Sequence, residues 1–160
     1  GKSLLGWKEY FQKGNIYGID IYPKQELNQE RLIVFQGSQN DFIFLHTIID
    51  QIGSPDIIID DASHFNSLTI ESFKILFPLL RSGGLYCIED LGCAYRHDFE
   101  GNINFNDLTS NTIVNYLFKI IHNFNNIEQA DNSYKRIVEF GQIESLHFYP
   151  ELVIIKKNET

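Results

Sequence analysis

The chain has 160 residues, of which 43% are hydrophobic and 21% charged, and a net charge of −8. That length fits one domain able to bury a core without a metal or disulfide staple, and the composition excludes a disordered chain. The acidic balance argues against a nucleic-acid backbone as main partner, and no apolar run approaches the length of a membrane span.

Lys2 is soon followed by Trp7, Lys8 and Glu9, so the first residues do not read as a signal peptide. The two cysteines, Cys87 and Cys93, form neither a CxxC pair nor a disulfide framework, which makes a reducing cytoplasm the expected compartment.

Hydrophobic periodicity then predicts alternating strands and helices. Ile16 to Ile21 reads as a short strand ending at Asp20, followed by a polar loop with Pro23, Lys24 and Gln25. Arg31 to Phe35 is a second strand, and Gln36-Gly37-Ser38-Gln39-Asn40 a loop of turn formers. From Asp41 the period changes, with Phe42, Leu45, Ile49 and Ile52 at helical spacing. Gly53, Ser54 and Pro55 stop that helix, and Asp56 to Asp60 reads DIIID, a β-branched run that predicts a parallel strand covered on both faces.

Phe73, Leu76, Phe77 and Leu80 mark the next helix, with Asn66 or Ser67 as its expected cap and Gly83-Gly84 as its stop. Leu85 to Ile88 is a buried strand ending at Glu89-Asp90. The polar stretch from Gly92 to Ser110 is long enough to read as an active-site lid or substrate loop. Ile113, Leu117, Ile120, Ile121 and Phe124 mark a last helix, and Ile143 to Tyr149 with Leu152 to Lys156 form a hairpin through Pro150-Glu151. No repeat or linker interrupts this order. It predicts an α/β fold with a mostly parallel sheet and a C-terminal antiparallel hairpin, in which ligands sit beyond the carboxyl ends of the strands.

Those ends carry the chemistry. Asp60-Asp61-Ala62-Ser63-His64 places two acids and an imidazole in one crevice, and Glu89-Asp90 ends another strand in the same way. Four carboxylates at one rim repel unless a cation neutralises them, and oxygen ligation favours a hard ion such as Mg²⁺ over zinc. An imidazole with its ordinary pKa of about 6.5 can accept a proton near neutrality, which suits His64 as a general base. His46, His122 and His147 read as structural, while His97 lies in the long loop.

Asp20 is placed either to accept hydrogen bonds from a ribose diol or to cap its turn. The Gln36 to Gln39 loop offers a glycine for close approach and amides to read a base edge, or is a plain turn. Tyr95 is positioned to meet a sugar or ring, and Cys87 reads as a small hydrophobe in its strand.

In IIIDDASH, GGLYCIEDL and SLHFYPELV the chain resembles the class I methyltransferases that use S-adenosylmethionine. More narrowly it is similar to the Mg²⁺-dependent macrocin and mycinamicin (macrolide sugar) O-methyltransferases. The resemblance extends over nearly all of the chain and implies a single methyltransferase domain over 1–160 with a Rossmann-like three-layer sandwich. It implies that Asp20 holds the cofactor ribose, that the Gln36 to Gln39 loop (Gln36, Gly37, Ser38 and Gln39) lies along its adenine, and that Gly1 and Ser3 belong to the loop around its methionine part. Asp61, Glu89 and Asp90 would ligate Mg²⁺, Asp60 would support the site on the cofactor side, and His64 would be the base. Ala62 and Ser38 depart from the family's usual glycine and aspartate.

The resemblance also implies that the family's first strand is missing. The strands ending at Asp20 and Asp60 would then stand roughly 10 Å apart, two strand spacings, instead of pairing directly. The expected partner is a small-molecule hydroxyl acceptor, a sugar or glycosylated metabolite, with no nucleic acid and no membrane; assembly with further copies of the chain stays open. Two rivals remain: a catechol-type O-methyltransferase using the same ion, and a non-catalytic fragment or scaffold.

Overall fold

A computed structural model describes residues 2–125 and 142–159. Among the described residues, six strands and four α-helices follow in the order α1 (Lys2–Tyr10), β1 (Ile16–Asp20), β2 (Leu32–Gln36), α2 (Phe42–Ile52), β3 (Ile57–Asp60), α3 (Asn66–Leu76), β4 (Leu85–Glu89), α4 (Ile113–Asn125), β5 (Ile143–Tyr149) and β6 (Leu152–Lys157). The fold is α/β with a mixed sheet in two parts: β1 pairs with β2 in parallel, and a four-stranded part has the order β3-β4-β6-β5. The β3–β4 ladder is parallel and the β4–β6 and β6–β5 ladders are antiparallel. Parallel pairing therefore makes up two of the four described ladders rather than most of them. The C-terminal hairpin supplies the difference.

β1 and β3 are not hydrogen-bonded neighbours. Both instead line an open cleft of about 1220 Å³, whose other walls include α1, α2 and parts of α3 and β4. This explains a departure from expectation at β3. Its β-branched run pairs in parallel with β4, yet Ile57 is exposed and Ile58 and Ile59 are half-buried, because one side of the strand faces the cleft.

The core lies beneath the larger part of the sheet. Ile70, Phe73, Leu76, Phe77 and Leu80 pack against Tyr86 and Ile88 of β4, Val153 and Ile155 of β6, and Leu117 and Ile120 of α4. Phe73 stacks on Phe77 at 4.9 Å and meets Tyr86 and Tyr116 edge-on. The period-two burial of β4 and β6 puts Cys87 and Ile154 on the opposite, half-buried face.

The main departures from the sequence reading are at α3 and α1. α3 ends at Leu76, well before Gly83-Gly84, because Pro78 has no N–H to continue the ladder; Gly83, at φ +73, turns the chain into β4 instead. Asn66 is not the cap of α3 but its first residue, while the capping position falls on Phe65, whose side chain makes no cap bond. A carboxylate from elsewhere compensates: Glu100 accepts the Ser67 N–H at 2.9 Å, which favours an anion at this helix start and lowers the Glu100 pKa. Finally, α1 lacks a predicted counterpart. It buries no residue fully, so it leaves no apolar stripe to read.

α1 is tied down by long-range contacts. Arg31 donates to the carbonyls of Phe11 and Gly14 at 2.9 and 2.8 Å, satisfying groups just past the helix end. Leu4 approaches β1 so closely that a Cβ at Gly18 would lie 2.6 Å from its Cδ1, which explains the glycine. No helix among the described residues is long and apolar enough to cross a membrane.

Candidate active site

The parallel register of β3 and β4 sets Asp60 opposite Ile88, so the chain leaves both strands side by side into Asp61 and into Glu89-Asp90. Two residues then take left-handed backbone, His64 at φ +59 and Asp90 at φ +56. Such conformations are costly outside glycine and persist where the surroundings impose them. Here the outcome is convergence. His64 Nε2 lies 3.9 Å from Asp61 Oδ1 and 3.6 Å from Asp90 Oδ2, and one ligand atom from each of the three falls within 4.8 Å of the others.

Glu89, the third expected ligand, is not part of that closest group but stands in its field. Its pKa is raised, first by desolvation and then by the negative charges of Asp61 and Asp90. Three carboxylates beside one imidazole form a donor set that fits a hard divalent cation. The residues present therefore fit Mg²⁺.

Asp60 is buried. Tyr86 donates to its Oδ2 at 3.2 Å, and Ser72 Oγ lies 3.4 Å from the Tyr86 hydroxyl. Burial raises the Asp60 pKa, opposed by hydrogen bonds from Ser72, Tyr86 and the Ala62 backbone. The Tyr86 phenol is pushed well up, by burial and then by the Asp60 charge. Neither Tyr86 nor Ser72 is marked in the sequence as a site residue; each looks like an ordinary strand or helix position.

The cleft gathers Ser3, Asp20, Gln39, Asp60, Asp61 and Glu89 on its walls. Asp20 accepts the Tyr22 N–H at 2.9 Å, so it caps its turn and borders the cleft at once. Gln36, Gly37 and Ser38 lie off the cleft wall. Gln36 reaches the Ile21 carbonyl, Ser38 Oγ bonds Asn40 Oδ1 at 2.7 Å, and a Cβ at Gly37 would overlap the Phe44 ring. Gly1 lies outside the described residues. Gln39 is the member of that loop that enters the cleft, and its Nε2 is a buried donor with no partner. A buried unpaired donor is costly and fits a ligand acceptor in the cleft.

The long loop after Asp90 is folded against the body. It forms two short 3-10 turns, Leu91–Tyr95 and His97–Phe99. Asn66, fully buried, donates to the Phe99 carbonyl at 2.7 Å and accepts the Ile113 N–H at 2.7 Å, joining the loop to α3 and α4. Glu151 in the hairpin turn accepts the Gly92 N–H through its side chain and the Leu91 N–H through its carbonyl. The loop thereby sets the Phe99 ring edge-on to His64, with centroids 6.2 Å apart.

The other histidines lie outside this cluster: His46 bonds the Phe42 carbonyl, His147 bonds Ser145, and His97 is exposed. Tyr95 is exposed. Both cysteine thiols are raised, chiefly by desolvation, which disfavours a reactive thiolate.

No family model matches the chain. Over 158 residues, 98% of the chain, it is 34% identical to the 8-demethyl-8-α-L-rhamnosyl tetracenomycin-C 2′-O-methyltransferase of Streptomyces olivaceus, covering 41% of that protein. It is 38% identical over 159 residues, again 98% of the chain, to the demethylmacrocin O-methyltransferase of Streptomyces fradiae, covering 40% of it. The structure superposes with a TM-score of 0.92 and 36% identity on the MycE methyltransferase of the mycinamycin biosynthetic pathway, solved with Mg and SAH. That match covers 99% of this chain and 41% of the other.

The relatives that the chain matches are named as O-methyltransferases. The chain spans about two fifths of the length of these relatives.

Proposed function

We propose that this chain carries the catalytic centre of an S-adenosylmethionine-dependent O-methyltransferase that methylates a hydroxyl on a sugar-bearing small molecule. The observation that carries the reading is the convergence of Asp61, His64 and Asp90 at the ends of two parallel strands beside a large cleft. Asp61, Glu89 and Asp90 would hold a divalent ion, which would supply Lewis-acid chemistry toward the acceptor, and the sulfonium cofactor would supply an already activated methyl group.

The chain's own residues do the rest. His64 takes the hydroxyl proton at Nε2 as the carbon–oxygen bond to the methyl group forms and its bond to sulfur breaks; the Asp61 and Asp90 side chains lie within 4 Å of that nitrogen. Asp20 and Ser3 border the part of the cleft proposed for the cofactor, with Asp60 at its floor beside Tyr86. Phe99 and the loop pinned by Asn66 wall the acceptor side and limit water at His64. Names of relatives that specify a rhamnosyl 2′-hydroxyl support a sugar acceptor. A reducing cytoplasm is the proposed compartment, supported by two unbridged cysteines.

The test is transfer of labelled methyl from S-adenosylmethionine to a panel of glycosylated acceptors, with Mg²⁺ or with EDTA. Mg²⁺-dependent labelling of the sugar is the expected result. Labelling undiminished by EDTA removes the metal from the account, and labelling of catechols instead of sugars favours the rival acceptor.

A further inference from the structure

Two loops that meet at the site are far apart in sequence. Gln39, before α2, accepts the backbone N–H of Ser63 through Oε1 at 3.2 Å, across 24 residues. Ser63 immediately precedes His64, whose left-handed backbone aims its ring at Asp61 and Asp90. The other end of the same amide, Nε2, is buried without a partner, and Gln39 lines the cleft. The amide orientation is set by chemistry: reversing it would bring an NH₂ donor against the Ser63 N–H donor. Its loop is also anchored from behind, since Asn40 accepts from Ser38 and donates to Glu71 of α3 at 3.0 Å.

We propose that Gln39 is a positioning residue that couples occupancy of the cleft by the cofactor to the setting of the His64 turn. A ligand acceptor that takes up the Nε2 donor fixes the amide plane, and the fixed plane holds the Ser63 N–H and with it the backbone of His64. The cation cluster includes His64's two carboxylate neighbours, so cofactor and ion then bind cooperatively. By reciprocity each tightens the other by the same factor. The inference rests on the cofactor reading above, and its test separates the two.

The measurement is the Mg²⁺ dissociation constant of the full chain by calorimetry, with and without saturating S-adenosylhomocysteine, in wild type, Gln39→Met and Gln39→Glu. In wild type, the product is expected to tighten Mg²⁺ by at least about fivefold, the low end of common coupling strengths. Gln39→Met removes both contacts and should bring the ratio to about one. Gln39→Glu keeps the acceptor for Ser63 and removes the donor, so it should weaken product binding about tenfold, near the worth of one hydrogen bond. His64 ring resonances in the product-free Glu variant should match wild type, whereas those of the Met variant should move.

Product binding with a wild-type ratio of one, or a ratio preserved in Gln39→Met, overturns the coupling while leaving the cofactor reading intact. No product binding by wild type overturns both. If Gln39→Met does not fold, the Glu variant decides alone: unchanged product affinity overturns the proposal.

Discussion

The two parts of the sheet differ in how completely they are built. Around β3, β4 and β6 the strands are backed by α3 and α4, and Phe73, Phe77, Tyr86, Ile120, Val153 and Ile155 are almost wholly buried. Around β1 and β2 only Gly18, Leu32 and Val34 are buried on the strands, Ile19 and Ile33 are exposed, and α1 buries nothing fully. The proposed ion and base stand on the first part, while the cofactor cleft lies between the two. The proposed acid–base chemistry thus stands on the more densely packed part. The cofactor side keeps open edges that a ligand or further chain can meet.

This contrast is open to attack by mutation. Phe73→Ala should cost about 3–5 kcal/mol in urea unfolding, as truncation of a buried aromatic does. Leu5→Ala on exposed α1 should cost less than about 1 kcal/mol; equal losses would erase the distinction. His64→Ala should lower turnover by about 10²–10⁴-fold with little change in cofactor affinity, and normal turnover at neutral pH would mean that another group takes the proton. Asp61→Ala and Asp90→Ala should each abolish Mg²⁺-dependent transfer while leaving the urea midpoint near wild type, since both side chains are exposed.

Asn66→Ala strips the Phe99 carbonyl and Ile113 N–H of a partner at once. A loss of about 1–3 kcal/mol is expected, together with faster amide exchange in the loop after Asp90. Wild-type exchange rates there would show that the loop is held by something else.

The smallest effect concerns Asp60. Burial raises its folded pKa, so its contribution to stability is full below the unfolded value of about 3.9 and is lost as pH rises through the folded value. Asp60→Asn removes that loss. The variant should be more stable than wild type at pH 7, by on the order of 1 kcal/mol, with no gain near pH 3. A gain that is constant with pH would contradict the linkage.

How much of this was legible in the sequence follows from the range of each interaction. The β-branched run at Ile57 to Ile59 and the stripe of Phe73, Leu76, Phe77 and Leu80 announce strand and helix because burial is periodic within a single element. Asp61, His64 and Asp90 were readable because strand ends of an α/β sheet are where ligands gather. The long-range half was not readable. Asn66 looks like a cap until Phe99 and Ile113 fold around it, Tyr86 looks like any strand residue until it meets Asp60, and Gln39 reaches Ser63 only in three dimensions. α1 was silent for another reason: its contacts come from Arg31 and Gly18 rather than from a stripe of its own.

The central claim is that Asp61, His64 and Asp90 form a cation-ready cluster in the folded chain. Mn²⁺ can replace Mg²⁺ as a paramagnetic probe, with the His64 ring resonances assigned by comparison with His64→Ala. At substoichiometric Mn²⁺ the account predicts selective broadening of His64 among the five histidines, suppressed by excess Mg²⁺ and absent in Asp61→Asn and Asp90→Asn. Equal broadening of all the histidines, or broadening of His64 that survives both substitutions, would contradict it.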